Sequence, residues 1–90
     1  TIQEGWHVYW KNPGDSGEAL RVKWNLPQGF SAGEIQWPTP ERIPFGPLMN
    51  FGYHGHVTYL VPITAGNTVP DATSVTANLE WLVCSDICIP

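Results

Sequence analysis

Apolar and polar residues alternate with period two along much of this chain, which is the pattern of half-buried β-strands. In the clearest run, residues 20–26, four apolar residues alternate with three polar ones. Residues 5–10 predict a second strand, with Trp6 and Trp10 turned toward the core and His7 turned toward solvent. The pattern therefore favours a protein built from strands with one face in water.

Further strands are predicted by alternating or continuous apolar runs at residues 34–37, 57–64 and 74–83. The predicted strand at residues 74–83 is followed immediately by Cys84. Residues 12–17 have the composition of a turn. Residues 38–47 contain four prolines and predict an ordered loop, because proline cannot donate a hydrogen bond to a strand ladder.

The composition agrees with an all-β protein of one domain. Nine prolines and nine glycines in 90 residues disfavour long helices. Several short strands separated by turn signals predict an immunoglobulin-like β-sandwich covering residues 1–90. Four of the five tryptophans are predicted core residues, namely Trp6, Trp10, Trp24 and Trp81.

Charge and hydropathy exclude several classes of function. The net charge of −4 and the scattered lysines and arginines argue against binding of nucleic acid. No apolar run approaches the roughly 18–20 residues of a membrane span. Charged residues make up 13% of the chain, about half the usual share, so we expect a domain excised from a longer chain and normally in contact with neighbours.

The two cysteines, Cys84 and Cys88, are the strongest candidates for chemistry. A bond between them would close a very small loop and would stabilise the fold by only about 2 kcal/mol. Such a bond can open without unfolding the domain, which favours a redox role. One alternative is a plain structural disulfide, and the other is a zinc site with His54 and His56, although His-x-His is tighter than the common zinc spacing. We expect no metal.

Four stretches resemble one known family. They are residues 5–17 (GWHVYWKNPGDSG), 35–38 (IQWP), 47–53 (PLMNFGY) and the cysteine-containing 81–90 (WLVCSDICIP). Together they resemble the amino-terminal periplasmic domain of bacterial thiol:disulfide interchange proteins of the DsbD/ScsB type. The resemblance extends over nearly the whole chain.

The resemblance implies an immunoglobulin-like sandwich whose cysteine pair, at a strand end, is covered by a mobile cap loop. It implies protein-disulfide reductase activity in the periplasm, within an inner-membrane protein, with no cofactor beyond the cysteine pair. The electrons would come through thioredoxin-like and membrane redox domains of the same protein. They would pass to oxidised periplasmic proteins, including disulfide isomerases and factors of cytochrome c biogenesis.

The local sequence predicts different roles for the two cysteines. Cys84 continues an apolar strand and should be buried, whereas Cys88 follows a turn and should face a partner. We therefore expect Cys88 to attack and Cys84 to resolve the mixed disulfide. Asp86 would raise a neighbouring thiol pKa by like-charge repulsion, or would simply form the turn.

Residues 50–55 are the candidate cap loop, with Gly52 and Gly55 as hinges. Phe51 or Tyr53 would shield the disulfide, and the alternative is that both are core aromatics. His54 either titrates near the site or is an exposed loop residue. A non-catalytic immunoglobulin-like binding module with a structural disulfide is the competing function, and the reduction potential of the pair would separate the two.

Overall fold

The computed structural model of the chain describes residues 1–66 and 73–90. Within these ranges every regular element is a β-strand and every strand pair is antiparallel. The strands are β1 (Val8–Gly14), β2 (Arg21–Asn25), β3 (Ser31–Ala32), β4 (Glu41–Phe45), β5 (Leu48–Tyr53), β6 (Ile63–Thr64), β7 (Thr76–Glu80), β8 (Val83–Cys84) and β9 (Cys88–Ile89). The fold is all-β and of the immunoglobulin-like sandwich class, as the sequence pattern predicts.

The largest sheet has the strand order β1-β5-β4, so β5 lies at its centre. Tyr9 pairs with Gly52 across β1 and β5. A Cβ atom at Gly52 would lie 2.0 Å from the carbonyl oxygen of Val8, so only glycine permits this approach of the two backbones. The glycine thus serves strand packing at the centre of the sheet.

The predicted loop at 38–47 is wrong for residues 41–45, which form β4. β4 pairs only with β5 and is therefore an edge strand. An edge position tolerates Pro44, because the missing N–H of proline can face away from the ladder. Proline content alone could not reveal this, since it depends on where the strand lies in the sheet.

The strand predicted at 20–26 is confirmed as β2, which pairs with β7 along its whole length. Arg21 and Glu80 form an ion pair of 3.0 Å across the two strands. The strand predicted at 74–83 is confirmed only for residues 76–80, because the ladder is interrupted before β8. The side chains of β7 are exposed, including the 51% exposed Leu79.

Three shorter predictions need correction. The strand predicted at 57–64 is limited to β6 at its end, and that predicted at 34–37 is reduced to a single bridge between Gln36 and Leu60. The turn predicted at 12–17 begins later, because β1 continues through Gly14. Asn50 stabilises the chain beyond this strand, since its side-chain oxygen accepts a hydrogen bond of 2.9 Å from the Ser16 N–H.

The core lies in the central sheet and the adjoining β8, and it differs from the predicted core. Its buried apolar members are Tyr9, Ile43, Tyr53 and Cys84. The prediction of four core tryptophans is wrong: Trp81 is 51% exposed and the other three are half-buried. His7, predicted to face solvent, is only 4% exposed. Its ring nitrogen hydrogen-bonds the Tyr9 hydroxyl, so the buried polar groups satisfy each other.

Candidate functional site

The two cysteines form a disulfide across a short hairpin. Cys84 ends β8, Cys88 begins β9, and Ser85, Asp86 and Ile87 make the turn between them. The hydrogen bond from the Ser85 N–H to the Ile87 carbonyl closes this turn. Turn and strand pairing therefore bring together two cysteines that are four positions apart in sequence.

The backbone pairing of Cys84 with His7 explains why the two cysteine side chains meet. The N–H and C=O groups of Cys84 both bond to His7, at 3.0 and 2.8 Å, and not to Cys88. Cys84 and Cys88 are therefore a non-hydrogen-bonded pair, the type in which strands approach most closely. Their Cα atoms are 4.1 Å apart. The same bonds attach the cysteine hairpin to His7, the residue before β1, beside the central sheet.

The two ends of the disulfide differ in exposure. Cys84 is 0% exposed, whereas Cys88 is exposed. Ile87 and Ile89, on either side of Cys88, are 65% and 47% exposed. Cys88 and the apolar side chains next to it are therefore accessible to solvent, while Cys84 is covered.

A cavity of about 430 Å³ lies beside the hairpin turn. Its lining includes His7, Phe45 and His54, together with Ser85 and Asp86 from the turn. The rings of His7 and His54 are 5.6 Å apart, and those of His7 and Phe45 are 6.2 Å apart. Two of the predicted auxiliary residues, His54 and Asp86, are thus brought together at the disulfide turn.

Burial and neighbouring groups shift the pKa values of side chains in and around this cavity. Burial, and to a lesser degree the neighbouring His54, lower the pKa of His7, so its imidazole is neutral at neutral pH. The His54 ring lies 2.9 Å from a carboxylate oxygen of Glu41, and that hydrogen bond lowers the pKa of Glu41. Burial raises the pKa of Tyr9. The cavity therefore offers a neutral imidazole next to a histidine–carboxylate pair.

The predicted cap loop is a strand for most of its length. Phe51 and Tyr53 lie in β5, and only residues 54 and 55 follow it. Gly52, interpreted from sequence as a hinge, is needed instead for the close approach to β1. Gly55 does adopt a left-handed backbone, with φ of 68°.

The side chains of this segment also lie away from the cysteines. Tyr53 pairs with Val8, the neighbour of His7 in β1. Because successive residues of a strand face opposite sides, Tyr53 and Phe51 lie on the sheet face opposite to His7 and Cys84. The Tyr53 hydroxyl donates a hydrogen bond of 2.8 Å to the Pro38 carbonyl. This placement favours the core role, and shielding of the disulfide by these aromatics stays a prediction.

Sequence reasoning missed His7 and Phe45 as neighbours of the site. Period two correctly put His7 and Tyr9 on one face of β1, but the apolar tryptophans on the other face appeared to be the buried ones. Phe45 was assigned to the proline-rich loop. The signal that could have identified His7 is its alternation with Tyr9, since two hydrogen-bonded polar aromatics can be buried together.

The described ranges contain neither a candidate metal site nor a helix that could span a membrane. Residues 1–66 and 73–90 bring together no three His, Cys, Asp or Glu side chains suited to a metal ion. The same part of the chain contains no helix that is long and apolar enough to cross a membrane.

Comparison with known proteins identifies the family. None of the curated proteins matches the chain. The solved structure of the N-terminal periplasmic domain of ScsB from Proteus mirabilis is similar, with a TM-score of 0.64 and 27% sequence identity over 96% of this chain. The chain covers 32% of that structure. The family model for the N-terminal part of the thiol:disulfide interchange protein DsbD matches residues 1–90. The chain therefore belongs to the family of DsbD N-terminal domains.

Proposed function

We propose that this chain is a periplasmic thiol–disulfide exchange domain, acting as a protein-disulfide reductase within a larger protein. It receives two electrons from a thioredoxin-like or membrane redox domain of that protein and passes them to oxidised periplasmic proteins. The observation that carries the proposal is the small Cys84–Cys88 loop with one covered and one exposed end. The cysteine pair itself is the electron carrier, so the reaction needs no cofactor.

The exchange proceeds in two displacements. The Cys88 thiolate attacks one sulfur of a partner disulfide, and the other partner sulfur leaves as a thiolate. The Cys84 thiolate then attacks the Cys88 sulfur and displaces the remaining partner sulfur. The partner disulfide is reduced to two thiols, and the Cys84–Cys88 pair is oxidised to a disulfide. The burial of Cys84 supports its role as the resolving residue, because a partner disulfide must reach the attacking sulfur first.

Trapping experiments test this division of labour. Cys84→Ser should accumulate a mixed disulfide between Cys88 and an oxidised thioredoxin-fold disulfide isomerase, because the resolving sulfur is lost. Cys88→Ser is the matched control and should trap little, since Cys84 is covered. Intact-mass spectrometry would measure both. Equal trapping by the two variants would contradict the assignment.

The exposed isoleucines beside Cys88 are the proposed contact for such a partner. Ile87→Asp should slow exchange with the isomerase and leave reduction by dithiothreitol unchanged, because only a protein partner covers this side chain. Leu60→Asp is a matched control, since Leu60 is 60% exposed and belongs to the bridge with Gln36 rather than to the hairpin. An equal decrease in the exchange rate of both variants would show a general effect of added charge and would contradict the proposed contact.

A structural disulfide in a non-catalytic binding module is the competing function, and the reduction potential separates the two. Structural disulfides usually have potentials below about −300 mV, whereas exchange-active ones are higher. Equilibration of the chain with glutathione and thioredoxin redox buffers, followed by thiol counting, measures this value. A pair that stays oxidised well below that potential would exclude the carrier function.

A further inference from the structure

His7 is the cross-strand neighbour of Cys84. The two residues exchange both backbone hydrogen bonds in an isolated antiparallel bridge. Residues paired in this way place their side chains on the same sheet face, with Cβ atoms about 4.5–5.5 Å apart. Cys88 is in turn the partner of Cys84 on the other side. The imidazole, the resolving sulfur and the attacking sulfur therefore lie in one row across three strands.

The imidazole is held so that one nitrogen is engaged and the other is free. Nε2 of His7 lies 3.0 Å from the Tyr9 hydroxyl. A tyrosine hydroxyl can donate or accept, so this bond survives whether or not Nε2 carries a proton. Nδ1 has no hydrogen-bond partner among the residues that the structure describes. The ring can therefore gain or lose a proton without losing its bond to Tyr9.

Tyr9 is itself fixed in place, which orients the histidine. It is 1% exposed, and its ring packs on Gly17, where a Cβ atom would lie 2.3 Å from the ring. Gly17 also has a left-handed backbone with φ of 89°. The aromatic ring and the glycine together keep the Tyr9 hydroxyl directed at the imidazole.

Several titratable groups surround His7. They are Tyr9 on its own strand, Cys84 opposite, Asp86 in the hairpin turn, and His54 after β5 with Glu41 of β4 behind it. Burial lowers the pKa of His7, as does its neighbour His54. A neutral imidazole can accept a proton, and the cavity beside it provides a route to water.

Cys84 needs such an acceptor. Its thiol is buried, and burial disfavours the thiolate that must attack Cys88. Neither lysine nor arginine lines the cavity at the turn, so no cation there stabilises the thiolate. A base next to the sulfur would let the proton leave as the new S–S bond forms.

We propose that His7 exchanges a proton with Cys84 during resolution of the mixed disulfide, an inference that rests on the proposed exchange function. The S–H bond of Cys84 breaks and its proton passes to Nδ1 of His7. The Cys84 sulfur bonds to the Cys88 sulfur, and the partner sulfur leaves as a thiolate. The imidazolium then releases its proton to water in the cavity or to the leaving thiolate. In the opposite direction His7 returns a proton to Cys84 as the disulfide is opened.

The main test is the rate of resolution as a function of pH. The reduced chain is mixed with an oxidised thioredoxin-fold isomerase, and the mixed disulfide is followed by acid quench and mass spectrometry. His7→Gln should slow its decay roughly 10²-fold, the lower end of general acid–base contributions, and should remove the inflection due to His7. His56→Gln, which changes an exposed histidine that does not line this cavity, should decay at nearly the parent rate.

A rate and pH profile for His7→Gln equal to those of the parent would overturn the inference. If the parent chain fails to exchange with the isomerase, the proposed function itself is refuted. If the parent reacts normally and His7→Gln is unaffected, only the role of His7 is refuted. NMR titration of the parent chain tests the same inference without a substitution, so it remains decisive if His7→Gln does not fold. The ring of His7 should titrate differently in the oxidised and reduced chains. Identical His7 titrations in both redox states would also refute the proposal.

Discussion

Replacing Cys88 by alanine removes the disulfide with little other damage. Cys88 is exposed, so the shorter side chain leaves no internal cavity. Cys84 keeps its thiol in the buried position and its backbone bonds to His7. The change in unfolding free energy therefore reports the bridge almost alone.

The expected loss follows from the size of the loop. The cysteines are four positions apart, and in the chain-entropy model such a short loop stabilises the fold by about 2 kcal/mol at 25 °C. For a chain of this length, that loss lowers the melting temperature by roughly 8–16 °C. The domain should remain folded, as an electron carrier must in its reduced state.

Urea unfolding followed by tryptophan fluorescence measures this loss, since the chain contains five tryptophans. The parent chain in dithiothreitol is an independent comparison and should unfold at nearly the same urea concentration as Cys88→Ala. Cys84→Ala is the matched variant. It should lose about 1 kcal/mol more, because it also empties a fully buried position.

Two results would refute this reasoning. A reduced or Cys88→Ala chain that is unfolded in buffer would show that the bridge is a structural requirement. Equal losses for Cys84→Ala and Cys88→Ala would show that the burial difference between the two cysteines has no energetic consequence.

Three further predictions follow from the central sheet. Gly52→Ala should destabilise the chain severely or prevent folding, because its Cβ would lie 2.0 Å from the Val8 carbonyl oxygen; near-parent urea unfolding would contradict the tight packing of β1 on β5. Stability should fall as pH drops below about 6.5, because the pKa of His7 is lowered in the folded state and the unfolded chain binds the proton first; unfolding at pH 5–7 should show a smaller slope in His7→Gln. Tyr53→Phe should lose about 1 kcal/mol with its hydrogen bond to Pro38, and faster reduction by dithiothreitol at unchanged stability would instead support the shielding role.

The local sequence was sufficient for features that depend on neighbours along the chain. Alternation predicted β2 because one face of that strand is polar throughout. The spacing of Cys84 and Cys88 predicted a small loop, and the apolar run before Cys84 and the turn before Cys88 predicted a buried and an exposed end. Both features are present. The motif runs around Trp10 and Trp81 were enough to indicate the family that the comparisons confirm.

Other features depend on contacts between distant segments. Residues 50–53 of the predicted cap loop belong instead to the central strand of a sheet, because β1 and β4 supply ladders on both sides of β5. Gly52 could be a hinge or a close contact, and only the position of Val8 decides between them. Pro44 is compatible with a strand because β4 lies at an edge.

The amino-acid sequence by itself determined the all-β class, the family and the cysteine pair, since each follows from local composition and order. Only the tertiary structure decided which face of β1 is buried. Period two divides a strand into two faces but does not say what packs on either one. The bridge to Cys84 and the bond to Tyr9 bury His7, whereas Trp6 and Trp10 on the other face remain half-buried. The disulfide gained its histidine neighbour through this long-range pairing.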